Sequence, residues 1–272
     1  MPARLADIVQ ELDALLQPER FADYGPNGLQ VPGADEVATV ASGVTAHLEL
    51  FERARAEGAQ LVLAHHGLFW GSGPGPIDAA LARRLRVLFA ADISLLAYHL
   101  PLDAHPEVGN NALLARALGG ARLTPFARHR GEPIGCLAEL TAEADRTGAH
   151  GPSSAAHRAD GGVPIAQLLD RVRAATAREP LAFEYGPPRV RRLAIVTGAG
   201  ADHLAEAVAA GADAFLTGEP AERVMAQARE AAVHFIAAGH YATETFGVRA
   251  LGERLAARFG VRHVFVDVPN PI

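Results

Sequence analysis

The sequence predicts an α/β protein built from two similar lobes, and three features of the chain support this fold class. Apolar runs that are typical of buried strands alternate with segments of helical periodicity. The runs at 37–44 and 61–65 are separated by one helical segment, and a strand, a helix and a strand in succession imply a parallel pair. The third feature is an internal repeat, which predicts that one α/β unit occurs twice.

The first half of the chain alternates between the two patterns. Residues 5–16 carry leucine, isoleucine and valine at helical spacing, which predicts an amphipathic helix, and turn-forming residues follow at 24–30. The next elements are predicted strands at 37–44, 61–65 and 93–98, and predicted helices at 47–58, 77–91 and 110–118.

The second half begins differently and then returns to this alternation. Short strands are predicted at 124–140, and residues 142–162 predict an exposed loop because they are rich in Gly, Ala, Ser and charge without apolar periodicity. A helix at 165–177 and a strand at 192–198 resume the α/β pattern. We therefore expect lobe I to comprise residues 1–123 and 232–272, and lobe II to comprise residues 124–231 with the loop 142–162.

Composition excludes several classes of protein. Hydrophobic residues make up 49% of the chain and charged residues 21%, which is typical of a globular protein. No run approaches the roughly 18 uncharged apolar residues of a membrane helix, and the N-terminus lacks a basic and apolar leader, so we expect a cytoplasmic protein without a membrane partner. The single cysteine, Cys136, excludes cysteine-based zinc sites and leaves His, Asp and Glu as metal ligands.

Residues that can bind metals stand at the ends of three apolar runs. They form three pairs: His65 with His66, His99 with Asp103, and His240 with Glu244. The first pair precedes Gly67, where a turning backbone lets both rings converge on one site. In the other two pairs the imidazole and the carboxylate are four residues apart, which places them on one face of a helix. Without His99, these pairs supply three imidazoles and two carboxylates, a set that could bind two metal ions.

A repeat within the chain strengthens this grouping. The two His-x-x-x-acid pairs are offset by 141 residues, and the segment 47–63 resembles 203–216. In this alignment Glu219 falls opposite His66. Duplication of a βαβ-type unit would bring the strand ends of both halves to one shared cleft, where ligands collect in α/β sheets. Chance similarity of alanine-rich segments is the alternative.

Six short motifs follow one another along the chain: Asn27-Gly28-Leu29-Gln30, His65-His66-Gly67, Tyr98-His99-x-Pro101-x-Asp103, Asn110-Asn111, Thr217-Gly218-Glu219 and Gly239-His240-Tyr241-x-Thr243-Glu244. In this order, and over nearly the entire chain, they resemble the NIF-three-like family, whose members are labelled GTP cyclohydrolase type 2 homologues. The resemblance implies a two-lobed α/β protein assembled as a toroidal homohexamer, with a dinuclear metal site in the cleft between the lobes of each subunit.

The resemblance also implies a ligand set, with Glu244 as the bridge between two ions. The five ligand positions are His65, His66, Asp103, His240 and Glu244. Two divalent cations per subunit are expected, and iron, zinc and manganese are favoured among the metals that imidazoles and carboxylates accept.

Two such cations would make the protein a metal-dependent hydrolase of a small molecule. The family label suggests a purine nucleotide, but the chain has no Gly-x-x-x-x-Gly-Lys loop, and a phosphoester, an amide or a conjugated metabolite would suit the same metals. We assign His99 and Glu219 to support of the ligands or to general acid–base work. Tyr241 either donates to an oxyanion or packs beside the ligands.

Two alternative functions that do not involve hydrolysis remain open. The first is a metal-binding hexameric scaffold or regulator, whose partners cap or thread the ring. The second is a ring that handles nucleic acid, against which the net charge of −6 argues.

Overall fold

The computed structural model describes residues 2–71, 73, 75–141 and 161–272. The predicted loop 142–162 lies outside the described residues, except for its last two positions. Within the described residues the strands are β1 Ala3–Arg4, β2 Gly28–Val31, β3 Glu36–Val37, β4 Thr39–Thr45, β5 Leu61–His66, β6 Ser94–Ala97, β7 Gly120–His129, β8 Glu132–Leu140, β9 Val163–Pro164, β10 Leu181–Phe183, β11 Arg189–Val190, β12 Arg192–Val196, β13 Ala214–Thr217, β14 His234–Ala237 and β15 Arg262–Phe265. The α-helices of the same residues are α1 Leu5–Leu16, α2 Leu48–Ala56, α3 Ala79–Ala90, α4 Leu100–Ala104, α5 Asn110–Ala117, α6 Ile165–Thr176, α7 Leu204–Ala209, α8 Val224–Ala231, α9 His240–Thr243 and α10 Thr245–Phe259.

The chain divides into two compact units. The first comprises residues 1–109 and 244–269, and the second comprises residues 110–243 and 270–272. The chain leaves the first unit after Gly109 and returns to it at Glu244. The lobe bounds expected from the sequence, 1–123 with 232–272 and 124–231, differ from these and stay a prediction.

The first unit contains a five-stranded sheet in the order β15-β4-β5-β6-β2. Strands β15, β4, β5 and β6 are parallel, which confirms the predicted strand-helix-strand arrangement. Strand β5 is buried at all but its last residue and β6 is buried throughout, as expected for parallel strands covered on both faces. The turn-rich segment 24–30 was expected to be irregular, but Gly28–Val31 adds an antiparallel edge strand beside β6.

Local conformations and side-chain hydrogen bonds mark the ends of helices in the first unit. Helix α1 buries Leu5, Ile8, Leu12 and Leu16, the apolar positions that predict it, and ends at Gln17 in the left-handed region with φ of 48°. Helix α2 is capped by His47, whose Nδ1 accepts a hydrogen bond from the Leu50 N–H at 3.1 Å. Helix α3 is capped by Asp78, whose carboxylate accepts from the Leu81 N–H at 2.7 Å.

The second unit contains a six-stranded mixed sheet in the order β10-β14-β13-β12-β8-β7. Its three central strands, β12, β13 and β14, are parallel, and the other neighbouring pairs are antiparallel. The short strands expected at 124–140 are one long hairpin instead, with strands of 10 and 9 residues. The aromatic rings of Phe126, Phe215 and Phe235 pack in its core at centroid distances of 6.4 and 5.9 Å.

Both units are α/β, as the sequence predicts, and each contains a run of parallel strands connected by helices, β4, β5 and β6 in the first and β12, β13 and β14 in the second. The duplication that would explain this similarity stays a prediction. Among the described helices, none combines the length and the apolar character that crossing a bilayer requires.

Candidate metal centre

Strand ends of the first unit bring imidazoles and carboxylates together. Strand β5 terminates in His65 and His66, and the neighbouring parallel strand β6 leads through His99 into α4, which carries Asp103. Glu244 directly precedes α10, the long helix that packs on β4 and β5. Four of the five predicted ligands therefore lie in the same unit, together with His99, which the sequence assigns to support of the ligands or to acid–base work.

His65 is held by the main chain and points its second nitrogen at acidic groups. Its side chain is fully buried, and its Nδ1 lies 3.0 Å from the Tyr98 carbonyl oxygen, so Nδ1 is the protonated nitrogen of the neutral ring. Its Nε2 lies 3.5 Å from the Asp103 Oδ2 and 3.5 Å from the Glu244 Oε1, and it has no hydrogen-bond partner among the residues that the structure describes. The buried Nε2 of His65 therefore faces two carboxylates.

The two oxygens of Glu244 face different imidazoles. Oε1 is the oxygen near His65, whereas Oε2 lies 3.1 Å from the His66 Nε2. Glu244 is 2% exposed and Asp103 is 7% exposed, so both carboxylates are shielded from bulk water. Glu244 therefore presents one carboxylate oxygen to each of the two imidazoles.

The charges of this cluster call for a compensating cation. Burial alone would lower the pKa of His65, but the carboxylates of Asp103 and Glu244 raise it to about 9. A proton on Nε2 is one way to balance these charges, and a metal ion on the same nitrogen is the other. Donor atoms of His65, Asp103 and Glu244 all lie within 4.8 Å of one another, and imidazole nitrogen with carboxylate oxygen is a set that divalent transition metals accept. The residues present therefore fit a metal ion.

His66 sits at the more accessible side of the cluster. Its Nδ1 lies 3.1 Å from the Thr45 Oγ1, on the neighbouring strand β4, and its side chain is 13% exposed. Burial lowers the pKa of His66, and the adjacent rings of His65 and His99 lower it further, against the opposing effect of Glu244. The ring is therefore kept neutral, which is the form that binds metals.

His99 is oriented by a buried carboxylate that sequence reasoning missed. Its Nδ1 lies 2.7 Å from the Asp23 Oδ1, and the Asp23 side chain is only 2% exposed. Asp23 also accepts hydrogen bonds from the Asn27 side-chain amide at 2.9 Å and the Leu100 N–H at 2.9 Å. Burial would raise the pKa of Asp23, but these hydrogen bonds and the charge of His99 lower it.

Asn27 completes this arrangement and gives its motif a structural role. Its Oδ1 accepts a hydrogen bond from the His99 N–H at 2.7 Å, so one side chain binds both Asp23 and the backbone of His99. Gln30, from the same motif, accepts from the Leu68 N–H at 2.8 Å and donates to the Pro26 carbonyl at 2.7 Å. The Asn27–Gln30 segment therefore braces both the loop after β6 and the loop after β5.

The ring of His99 lies beside those of the two predicted ligands. Its centroid is 5.0 Å from that of His65 and 5.5 Å from that of His66. One nitrogen of each ring falls within 4.8 Å of the others, so His99 is close enough either to exchange protons at the site or to bind a metal. The roles that the sequence assigns to His99, support of the ligands or acid–base work, stay predictions.

The second unit holds the other predicted residues. His240 begins α9, and its Nδ1 is hydrogen-bonded to the Glu219 carboxylate, which follows β13. The Tyr241 N–H donates to the Ile272 carbonyl at 3.0 Å. The roles of His240 as a ligand, of Glu219 in proton transfer and of the Tyr241 hydroxyl stay predictions.

Comparison with known proteins finds similarity along the whole chain. The family described as Duf34/NIF3 (NGG1p interacting factor 3) matches residues 3–271. A protein named "GTP cyclohydrolase 1 type 2 homolog" from Pseudomonas aeruginosa is 45% identical over 277 residues, covering 100% of both chains. A protein of the same name from Allochromatium vinosum is 41% identical and covers 97% of this chain and 96% of its own. The crystal structure of TTHA1606 from Thermus thermophilus has a TM-score of 0.85 and 38% identity, over 99% of this chain and 100% of that one.

Proposed function

The chain belongs to the Duf34/NIF3 family, and from that membership and the donor cluster of the first unit we propose that it is a dinuclear metal-dependent hydrolase of a small molecule. The observation that carries the proposal is the Nε2 of His65, a buried nitrogen without a hydrogen-bond partner among the described residues. It faces carboxylate oxygens of Asp103 and Glu244 at 3.5 Å each. A permanent structural imidazole would normally have both nitrogens satisfied.

His234 provides that contrast within the same protein. It is 2% exposed, its Nδ1 accepts from the Gly186 N–H at 3.2 Å, and its Nε2 lies 2.7 Å from the Pro187 carbonyl oxygen. Both nitrogens are bound by the backbone, as expected for a buried imidazole with a structural role. His65 is buried like His234, but its Nε2 is left for a ligand.

In the proposed site, imidazole nitrogens and carboxylate oxygens would hold the cations. The ligands are His65, His66, Asp103, His240 and Glu244. When bound, two divalent cations, with iron, zinc or manganese favoured, would supply Lewis acidity for a carbonyl or phosphoryl oxygen and would lower the pKa of a water molecule.

The chain's own part in the reaction is to orient the ligands and to move a proton. Asp23 keeps the proton of His99 on Nδ1, which leaves the Nε2 of His99 as a base that can accept a proton from the attacking water and return it to the leaving group. Glu219 holds the Nδ1 of His240 in the same manner. We also propose, from the names of the relatives, that the substrate is a purine nucleotide, and from the family resemblance that the chain assembles as a homohexamer.

Metal content per chain is the first test. Elemental analysis of gently purified protein should give about two metals per chain, falling to one or none in His65→Gln and in Glu244→Gln. His234→Gln is the matched control, because it removes an equally buried imidazole outside the cluster and should keep the full metal content.

Turnover is the second test. Nucleotides, phosphoesters and amides are screened with the metal-loaded protein, and light scattering on the same sample measures the assembly. His99→Ala should lose turnover while keeping both metals, whereas loss of metal would make His99 a ligand. Metal-free protein, or metal that His65→Gln retains in full, would refute the hydrolase proposal. Bound metal without turnover on any substrate would favour the scaffold instead.

A further inference from the structure

Two large aromatic side chains stand exposed beside the metal cluster of the first unit. Tyr24 is 51% exposed and Trp70 is 46% exposed. The Trp70 ring lies 5.2 Å from the centroid of His99 and 5.8 Å from that of His66, and the Tyr24 ring lies 6.0 Å from that of His99. Exposed aromatic area is costly in water, and here it flanks the imidazoles on which the proposed chemistry depends.

The backbone holds the segments carrying these two rings together. The Gly71 N–H donates to the Tyr24 carbonyl oxygen at 2.6 Å. A Cβ on Gly25 would lie 2.5 Å from the Phe69 carbonyl oxygen and 3.3 Å from the Trp70 Cα, so only glycine permits this approach. The Tyr24–Gly25 turn and the Trp70–Gly71 turn are thus packed backbone to backbone, which fixes where their side chains emerge.

We propose that Trp70, together with Tyr24, forms a stacking surface that binds a planar heteroaromatic ring of the substrate and sets the specificity of the site. The inference rests on the proposed function and adds to it the residues that would recognise the heteroaromatic ring. Stacked aromatic rings have centroids roughly 4.5–7 Å apart. A ring stacked on Trp70 would therefore lie beside His66 and His99, within reach of the cluster.

The accessible area favours a flat ring over other ligands. Trp70 meets His99 at an interplanar angle of 83° and His66 at 50°, so neither imidazole lies parallel to the indole ring and stacks on it. Cages for quaternary ammonium groups need several faces directed at one centre. An aliphatic ligand would gain burial but would not distinguish Trp70 from a leucine.

Trp70 is the only tryptophan of the chain, so its fluorescence reports on this position alone. The full-length protein is titrated with 2-aminopurine riboside, a fluorescent base analogue whose emission falls when it stacks. Ribose 5-phosphate and choline serve as ligands without a heteroaromatic ring. The expected result is quenching of both 2-aminopurine and Trp70 emission by the riboside, and no change with the other two.

Substitutions then test the role of the ring. Trp70→Ala should weaken riboside binding roughly 5- to 150-fold, which corresponds to about 1–3 kcal/mol per stacked base, and Trp70→Phe should restore most of it. Tyr24→Ala should weaken it less. Phe89→Ala is the control, because it removes a 62% exposed ring elsewhere in the same unit and should change nothing.

The outcomes separate this inference from the hydrolase proposal. Equal affinity of Trp70→Ala and the parent protein, absence of riboside binding, or binding of choline in preference, would overturn the stacking surface. Metal content of Trp70→Ala should stay at the parent value, since no ligand is touched. Riboside binding that depends on Trp70 in a protein without metal or turnover would uphold the stacking surface and refute the hydrolase.

Discussion

Replacing Asp23 with asparagine should move the proton of His99 from one ring nitrogen to the other. The carboxylate accepts from His99 Nδ1 and the exposed Tyr24 N–H on one oxygen, and from Asn27 and the Leu100 N–H, both partly buried, on the other. Water can replace the carboxylate at the exposed Tyr24 N–H but not at the two partly buried donors. The amide oxygen of Asn can keep the last two donors, which turns its NH₂ group toward His99. Since NH₂ only donates, Nδ1 must become the acceptor and the proton must reside on Nε2.

The energetic cost follows from burial. The Asp23 side chain is 2% exposed, so its charged hydrogen bond to His99 at 2.7 Å is little screened by water. Hydrogen bonds to charged groups contribute about 1.5–3 kcal/mol, and we expect Asp23→Asn to lower the free energy of unfolding by about that amount.

A surface pair with the same atoms and distance supplies the control. His203 Nδ1 lies 2.7 Å from the Glu206 Oε1, and the His203 side chain is 19% exposed, as is that of His99. Glu206, however, is 49% exposed, so Glu206→Gln should cost only about 0–1 kcal/mol.

The stability difference should depend on pH in a defined direction. Burial opposes ionisation of Asp23, but the hydrogen bond from His99 prevails and lowers its pKa in the folded protein. The unfolded value is about 3.9, so the ionised carboxylate stabilises the fold above that pH and the contribution is lost as pH falls through the lower folded pKa. The gap between parent and Asp23→Asn should therefore be constant near neutrality and shrink in acid.

Nitrogen-15 NMR of the histidine rings at pH 8 measures the proton position, with His99 assigned by its absence in His99→Gln. Urea unfolding measures the free energy. The reasoning would be refuted by a proton that remains on Nδ1 in Asp23→Asn, or by equal costs for Asp23→Asn and Glu206→Gln.

Three further predictions concern packing and reactivity. Phe51→Ala should lower the free energy of unfolding by about 3–5 kcal/mol in urea titrations, because this ring is 0% exposed, whereas Phe89→Ala, at 62% exposed, should stay within about 0.5 kcal/mol. Gly218→Ala should cost about 1–3 kcal/mol and lower the melting temperature, since the new Cβ would lie 2.7 Å from the Cα of His240; an unchanged melting temperature would contradict this contact. Cys136 should react with a disulfide thiol reagent at pH 8 only after denaturant is added, because burial raises its pKa to about 12 and leaves about one thiolate in ten thousand; rapid reaction of the folded protein would contradict it.

Sequence alone goes far for elements whose periodicity is strong. Helix α1 and the parallel strands β4, β5 and β6 are predicted because their apolar spacing reports directly on burial. Strand β2 is missed because Gly28–Val31 is short and follows turn-forming residues. Its identity as a strand comes from pairing with β6, which local composition does not encode.

The residues of the candidate site also fall into those that the sequence predicts and those that it does not. His65, His66, Asp103 and Glu244 could be grouped because strand ends and spacing mark them, whereas Asp23 stands in a loop with no pattern around it. Its only signal is the neighbouring Asn27 motif, whose function is visible once the loop is seen to bind His99. Tertiary contacts across more than 70 positions of the chain have no local signature.

The hydrogen-bond partners that orient His65 and His99 differ in how easily a substitution removes them. His65 is fixed by the main-chain carbonyl of Tyr98, a group that every amino acid supplies, so no change of side chain at position 98 deletes the acceptor. His99 is fixed by the carboxylate of Asp23, which most exchanges at position 23 abolish. A single substitution can therefore remove the hydrogen-bond partner of the proposed base His99. His65 keeps its partner as long as the backbone just after β6 stays in place.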